Sequence, residues 1–540
     1  MKLLSFKIEH FRSIENIEIK FPDNKPIVLF GPNNVGKSNI LKALDIILGE
    51  RYAGTMDFPE SDFFQRDKES YKNISFTAKF DECIKYNNKI LCFTTNHKDN
   101  ENMYHKDKLE DTNESKFYLS NEDKEKCQFL LIDATRDISR QLSYINQFTI
   151  LSKMAQKMHK ALVRQTKSEL KDQFDKIKKI FEGVDKYKKF LDNLKLSFDG
   201  CIDGFEHKLE IDLSAYDPNN YFHSLKIVAN DGQSTRSFDE FGTGEQQILL
   251  MSFVKAYAHT FKGSNFVLGI EEPEAHLHPL AQKWLAKNIN TIAESGIQVI
   301  ISTHSPEFLD IENLEGFVKV YKENNITKIV QFDSENLANK CIEQGVVKEK
   351  CTKDTILQFY KSNTFYDQLK GFFARKILLV EGETELFSLP NYFKNCGYDL
   401  TKEGVEIVNC RGKNQLARNY RLFNAYGYNC FCLFDGDDKA QNNNELSELF
   451  EFDKDKMSKK PEDCFVDETK KYGYFGLAFE NYMKSSFNDY EEKNQKFAEI
   501  YISKPLIAKL ISEKNPQYKP GFIYKIAKSL DLKNIAEQTN

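Results

Sequence analysis

Apolar and polar positions alternate over residues 3–9 (LLSFKIE) and 14–21 (IENIEIKF), which predicts two short, half-buried strands. Ile27–Phe30 is an unbroken apolar run and predicts a short strand buried on both faces. From 38 to 48 the period changes. Ile40, Leu41, Leu44, Ile47 and Leu48 fall on one face of a helix. The buried-strand pattern returns at 266–270 (FVLGI), 298–301 (QVII), 376–380 (KILLV) and 430–434 (CFCLF), with helix-period text between. That alternation predicts an α/β protein.

Two stretches depart from this pattern. Residues 96–126 are polar and charged with little periodicity and predict an exposed insertion. From 150 to 200 the text becomes Lys-rich helix, with Leu170, Phe174, Ile177, Phe181, Val184, Leu191 and Leu194 in an a/d-like stripe that Gly183 interrupts. The readings of that stretch are a solvated arm on its own domain, a dimerisation arm, or a surface facing DNA. The least structured join lies between about 333 and 371. At roughly 100–200 residues per domain, the length predicts about three domains. The boundaries expected are 1–150 with 225–365 for the first domain, 150–225 for the inserted arm, 372–510 for the second domain and 511–540 for a helical tail.

Composition narrows the class. The 540 residues hold 76 Lys+Arg against 81 Asp+Glu, a net −5, which excludes a uniformly basic nucleic-acid coat. Within that acidic chain, 151–200 carries 13 Lys/Arg and 7 Asp/Glu, a local +6. No apolar run approaches the ~18 residues of a membrane span, and the first residues lack the apolar core of a signal peptide. The 11 cysteines include no CxxC pair, so reduced thiols in a cytoplasm are expected and a disulfide frame is not.

Chemistry begins at Gly31-Pro-Asn33-Asn34-Val-Gly36-Lys37-Ser38-Asn39, which fits GxxxxGK[ST] between an apolar strand and an amphipathic helix. Glycines there turn backbone amides inward around phosphates, and the helix N-terminus adds partial positive charge. Lys37 is placed for the β/γ-phosphates of ATP and Ser38 for Mg²⁺. The strand at 266–270 ends in Glu271-Glu272-Pro273-Glu274, one acid for the ion's water and one for a general base. A Glu-Glu pair alone is more often a plain strand end. Between them stands Phe241-Gly-Thr243-Gly244-Glu245-Gln-Gln247, with a helix expected from near Ile248. Downstream, 298–301 leads to Ser302-Thr-His304-Ser305-Pro306, where a histidine at a strand tip is placed to sense a γ-phosphate.

In this order the motifs resemble the ABC ATPases of the SMC and RecF kind. The resemblance implies that Thr243, Gly244 and Glu245 act in trans on ATP held by a partner's P-loop. It also implies that Glu271 holds Mg²⁺, Glu272 is the hydrolytic base, His304 is the switch histidine and Arg12 reaches the nucleotide. Gln65 is a candidate for the Q-loop. The signature departs from LSGGQ, and Glu271 stands where most such proteins have Asp. His276 and His278 suggest a metal site with His304, a reading outweighed by their family-like LHP context.

A second acidic site follows. The strand at 376–380 ends in Glu381-Gly382-Glu-Thr-Glu385, with Glu385 one helical turn beyond Glu381 and Gly382 expected to make a sharp turn. The strand at 430–434 ends in Asp435-Gly436-Asp437-Asp438, where alternation sets Asp435 and Asp437 on one side. Like charges converging from neighbouring strands repel unless a cation neutralises them, and carboxylates suit Mg²⁺ or Mn²⁺. The pair VEGxxE and DxD resembles a TOPRIM domain, a Rossmann-like fold. Together with the ABC-type ATPase it resembles the OLD (overcoming lysogenisation defect) nucleases over nearly the full length, Arg136-Asp137 included. That resemblance implies a further acid, matched by Glu480, and a late lysine, matched by Lys504 with Lys509 as the alternative.

The expected protein is thus an ATP-regulated hydrolase. It is a DNA endonuclease holding two divalent ions through Glu381, Glu385, Asp435, Asp437 and Glu480, with a third ion beside ATP at Ser38 and Glu271. The resemblance further implies a homodimer or higher homo-oligomer, antiviral defence, and a partner protein encoded nearby. Competing expectations are an SMC/RecF-like DNA-binding ATPase that does not cleave, a nuclease acting on RNA, and a topoisomerase-like strand passer, for which no tyrosine motif stands out.

Overall fold

The computed structural model describes residues 1–49, 51–71, 73–84, 89–96, 101–105, 120, 123, 126–132, scattered single positions between 169 and 188, 228–230, 235–237, 241–260 and 266–535 apart from 365, 438, 488 and 502. The a/d-like stripe of 170–194, Arg136-Asp137 and Asp438 lie outside the described residues. Two compact units are present: residues 1–133 with 265–275 and 282–540, and residues 134–264 with 276–281.

The first unit contains an eleven-stranded sheet. Its strands are β1 (Leu3–Phe11), β2 (Ile14–Lys20), β3 (Ile27–Phe30), β4 (Asn73–Phe80), β5 (Ile90–Asn96), β6 (Glu101–His105), β7 (Gln128–Ile132), β10 (Phe266–Glu271), β11 (Gln298–Thr303), β12 (Phe317–Glu323) and β13 (Ile326–Gln331). Their order is β6-β5-β4-β1-β2-β13-β12-β3-β11-β10-β7. Neighbours β12, β3, β11, β10 and β7 run parallel, so their carboxyl ends gather on one edge. The antiparallel strands β1, β2, β4, β5 and β6 extend the other side. Ile27–Phe30 forms its predicted strand residue for residue, and the helix Lys37–Leu48 starts one residue before the prediction. The expected insertion at 96–126 is partly corrected: Glu101–His105 pairs antiparallel with β5 as the sheet's edge strand, where the Tyr104 side chain is buried.

The same unit holds a five-stranded sheet: β14 (Lys376–Val380), β15 (Val405–Asn409), β16 (Asn429–Asp435), β17 (Cys464–Asp467) and β18 (Tyr472–Phe475), in the order β15-β14-β16-β18-β17. Strands β15, β14, β16 and β18 are parallel, which again collects carboxyl ends on one edge. Helices Glu383–Asn395, Lys413–Ala425 and Phe479–Ser486 connect or follow these strands. Each sheet has its own core, one around Phe6, Phe11, Phe76 and Phe93, the other around Tyr392, Phe393, Phe475 and Phe522.

In the second unit, the hairpin of β8 (Val228–Asn230) and β9 (Thr235–Ser237) is described, as is the helix Thr243–Thr260. That helix begins at Thr243 and not near Ile248. Glu245 explains the earlier start, since its carboxylate accepts the Gly242 N–H (3.1 Å) and caps the first turn. Among the described residues, no helix is long and apolar enough to cross a membrane.

Candidate functional site

The edge of the first sheet carries the P-loop. Gly31 follows β3 with φ 140°, and a Cβ there would lie 2.1 Å from the Val320 carbonyl oxygen, so only glycine fits. The helix Lys37–Leu48 has no side-chain cap and no acid in its first turn, which leaves its N-terminal amides to an anion. Lys37 is 6% exposed and donates to the carbonyls of Gly31 (2.9 Å) and Pro32 (2.8 Å). Burial lowers its pKa to about 8, against the pull of Glu272, Glu274 and Glu271. A buried cation beside unused helix amides fits the phosphates of a nucleotide. Asn33, Asn34 and Ser38 face solvent on the same loop, and the Ser38 hydroxyl hydrogen-bonds the Glu271 carboxylate. Those two oxygens are the pair expected to share Mg²⁺.

Three more predicted residues meet here. Glu272, in left-handed backbone (φ 46°), donates its N–H to the Ser302 carbonyl (2.8 Å), and its carboxylate lies 3.8 Å from His304 Nε2. His304 is held below its ordinary pKa by burial first and then by Lys37, with Glu272 opposing. Arg12 donates to Asp62 Oδ1 (2.8 Å) and to Asn39 Oδ1 (3.2 Å), while its carbonyl accepts the Gln65 N–H (3.0 Å). Arg12, Asn39 and Gln65 are therefore neighbours. Sequence reasoning assigned no role to Glu274. Its carboxylate accepts from the His304 N–H (2.6 Å) and the Thr303 hydroxyl (2.9 Å), and so fixes the backbone at His304. Burial raises its pKa.

Thr243, Gly244 and Glu245 open the helix of the second unit. There the His278 Nδ1 accepts the Leu280 N–H (3.3 Å). Among the described residues, His276, His278 and His304 form no group placed to hold an ion.

The edge of the second sheet brings the other acids together. Glu381 follows β14 and Asp435 ends β16, and the Asp435 N–H donates to Glu381 Oε2 (3.3 Å). Glu385 is 5% exposed on the first turn of Glu383–Asn395. Glu480 lies on the first turn of Phe479–Ser486, where its carboxylate accepts the Thr384 hydroxyl (3.2 Å). The Phe479 N–H donates to Asp435 Oδ1 (2.9 Å). Desolvation, then repulsion from Glu385, Glu381 and Glu480, pushes Asp435 up to about 9. Desolvation, then Glu480 and Glu381, pushes Glu385 up to about 7. Glu381 also rises, again by desolvation first.

One of two local expectations needs correction. Gly382 lies in the bend between β14 and the helix, as expected, but its backbone is extended (φ −141°), a conformation open to any residue; a Cβ there would approach the Glu385 carboxylate to 3.3 Å. Asp437 lies beyond β16 with φ 58°, so strand alternation does not bring it to Asp435. Gly436 does so. Its N–H donates to the Phe475 carbonyl (2.8 Å), and a Cβ would stand 2.4 Å from that oxygen.

The lysine at the acids is Lys413. It is 8% exposed, donates to Asp437 Oδ2 (2.8 Å) and to the Asp435 carbonyl, and lies 4.0 Å from Glu381 Oε2. Lys504 opens the exposed first turn of Lys504–Lys514, and Lys509 pairs with Glu513 on that helix (3.7 Å). The missed signal was Gly412-Lys413 straight after the strand Val405–Asn409, with the Gly412 N–H held by the Glu381 carbonyl (2.9 Å).

Oxygen donors that are buried and mutually repelling fit a hard divalent cation in their chemistry. In this arrangement Lys413 supplies the positive charge, and among the described residues no three acids converge to ligating geometry.

Comparison with known proteins gives two family matches. Residues 27–310 match the family described as "AAA domain, putative AbiEii toxin, Type IV TA system", and residues 372–437 match "Overcoming lysogenization defect protein-like, TOPRIM domain". An OLD nuclease of Thermus scotoductus is 25% identical over 429 residues, covering 76% of this chain and 77% of that one. The Old nuclease of Escherichia phage P2 is 30% identical over 223 residues, 40% of this chain and 36% of the relative. Among solved structures, an Smc head domain bound to the C-terminal domain of ScpA from Pyrococcus furiosus is 15% identical with a TM-score of 0.39, covering 64% of this chain and 99% of that chain.

Proposed function

Since the chain belongs to the AAA-domain family matched by residues 27–310 and carries an OLD-like TOPRIM domain after it, we propose that it is a divalent-metal-dependent DNA endonuclease governed by ATP. The observation that carries this reading is the cluster of Glu381, Glu385, Asp435 and Glu480, whose burial and repulsion cost stability and call for a cation. Glu381, Glu385, Asp435, Asp437 and Glu480 would hold two Mg²⁺ or Mn²⁺ ions. Bound ions would supply Lewis acidity and an activated water for phosphodiester hydrolysis. Lys413 offers its ammonium to the charge that develops on the phosphate. At the other edge, Lys37 and the helix amides would bind the ATP phosphates, Ser38 and Glu271 its ion, and Glu272 a hydrolytic water that His304 orients. Arg12 and Asn39 would stand beside the nucleotide. Thr243, Gly244 and Glu245 would complete a second copy's site, which makes a homodimer the working unit. The proposal extends to defence against phage or other foreign DNA, on the OLD likeness alone.

The test incubates the purified chain with supercoiled plasmid or with RNA, in Mg²⁺ or Mn²⁺, with and without ATP, beside Glu381→Ala and Lys37→Ala. Nicking or linearisation lost in Glu381→Ala is expected. Cleavage that Glu381→Ala leaves intact, or no cleavage of any substrate, overturns the nuclease reading. Cleavage of RNA alone overturns DNA as the substrate.

A further inference from the structure

Lys319 lies on β12, in the ATPase sheet, paired in register with Phe30, the residue just before the P-loop. Its side chain reaches the turn between the helix Lys413–Ala425 and β16. The ammonium donates to the Tyr426 carbonyl (2.9 Å) and sits 3.4 Å from the centre of the Tyr428 ring. Lys319 is 8% exposed, and no carboxylate pairs with it among the described residues. The Cys430 thiol also acts on it electrostatically, and burial pushes that thiol far up and so keeps it neutral. A buried, unpaired ammonium costs stability, and its pKa is pushed down to about 8. The Tyr426 hydroxyl, in the same joint, is also buried without a partner among the described residues. Packing alone would favour an apolar residue at 319.

The joint continues in both directions. The Phe30 ring packs on Phe372 (5.4 Å), Phe373 (6.0 Å) and Tyr426 (6.3 Å). Tyr426 caps the C-terminus of the helix Lys413–Ala425. That helix spans about 20 Å at ~1.5 Å per residue, and its first residue is the lysine that holds Asp437 and the Asp435 carbonyl. One rigid helix thus has its far end against the P-loop strand and its near end in the acids.

We propose that Lys319 is a positioning residue of the nuclease centre: by clamping Tyr426 to β12, it makes the helix Lys413–Ala425 transmit nucleotide occupancy of the P-loop to Lys413 and the acids around it. This rests on the nuclease reading above and specifies its regulation. A structural lysine would hold the sheets together and leave the response to nucleotide untouched.

The test uses the full chain, Lys319→Met (similar length, no charge) and Tyr428→Leu, with AMP-PNP and Mg²⁺ as the probe. Amide hydrogen exchange is followed at 31–40, 413–425 and 435–443. In the wild type, AMP-PNP changes exchange in all three segments. In Lys319→Met the change at 31–40 persists, while those at 413–425 and 435–443 are lost, with melting temperature equal or higher. In plasmid cleavage, the ratio of kcat with and without AMP-PNP moves at least fivefold towards one, and KM holds. Tyr428→Leu shifts both readouts the same way, which covers a Lys319→Met protein that fails to fold. Wild-type exchange unmoved by AMP-PNP at 413–425, or variants that respond as the wild type does, overturns the proposal. If nothing is cleaved by any form, the nuclease reading falls, and the exchange experiment still decides the coupling.

Discussion

Glu385 and Asp435 are buried carboxyls whose neighbours are other carboxyls, and their protonation follows from that. Their folded pKa values, about 7 and about 9, exceed the unfolded values near 4. The folded state therefore holds more protons than the unfolded one between those limits. Stability is greatest at the acid end of the window and falls as pH rises through it. Without divalent metal, the melting temperature should drop from pH 5 to pH 9, and Asp435→Asn should flatten that slope; a wild-type melting temperature that rises over the range contradicts the arrangement. Lys37 gives a second expectation. It is the buried cation of the P-loop, so Lys37→Ala should weaken ATP at least tenfold, about 1.4 kcal/mol, measured with a fluorescent ATP analogue. Unchanged affinity would remove Lys37 from the site.

At the scale of elements, both candidate centres use one device: parallel strands ending together, with a helix N-terminus opening beside them. Gly436 is a tight joint in the second. Gly436→Ala pushes a methyl carbon against the Phe475 carbonyl (2.4 Å) and should cost about 1–3 kcal/mol. It should also displace Asp437 and abolish cleavage; wild-type stability and activity together would show that the turn has slack. The helix Lys413–Ala425 adds a pH test for the joint at its far end. Lys319 has a folded pKa near 8, below the unfolded value near 10.4. The unfolded state binds more protons between these values, so stability rises with pH across that window. Lys319→Met should remove this rise in a denaturant titration.

For the whole molecule, the expectation concerns association. Thr243 and Gly244 sit at the start of a helix in the second unit, where the resemblance to SMC and RecF ATPases puts residues that serve a partner's ATP. Light scattering should show a dimer or larger species at micromolar concentration with AMP-PNP and Mg²⁺; a strict monomer would remove their action in trans.

What could be read beforehand follows from where the information lies. The strands Ile27–Phe30 and Lys376–Val380 form as predicted because a strand buried on both faces carries its apolar run within its own few residues. GxxxxGKS, EEPE, VEGETE and DGD are legible for the same reason: local backbone geometry and the acids' chemistry are written in adjacent positions. Lys413 was not singled out, since one lysine among many says nothing of which strand end it will reach. Its partners Asp435 and Asp437 stand 22 and 24 residues away and meet it only when β15, β14 and β16 align. Glu274 needs the neighbouring strand to bring His304 to it. Lys319, on β12, and Tyr426, at the end of the helix Lys413–Ala425, are 107 residues apart, and nothing local marks either. The sequence by itself determined the two acidic strand ends and the phosphate loop. Only the tertiary structure decided which cations stand beside them, because a buried charge is placed by the burial of distant apolar surface and not by its neighbours in the chain.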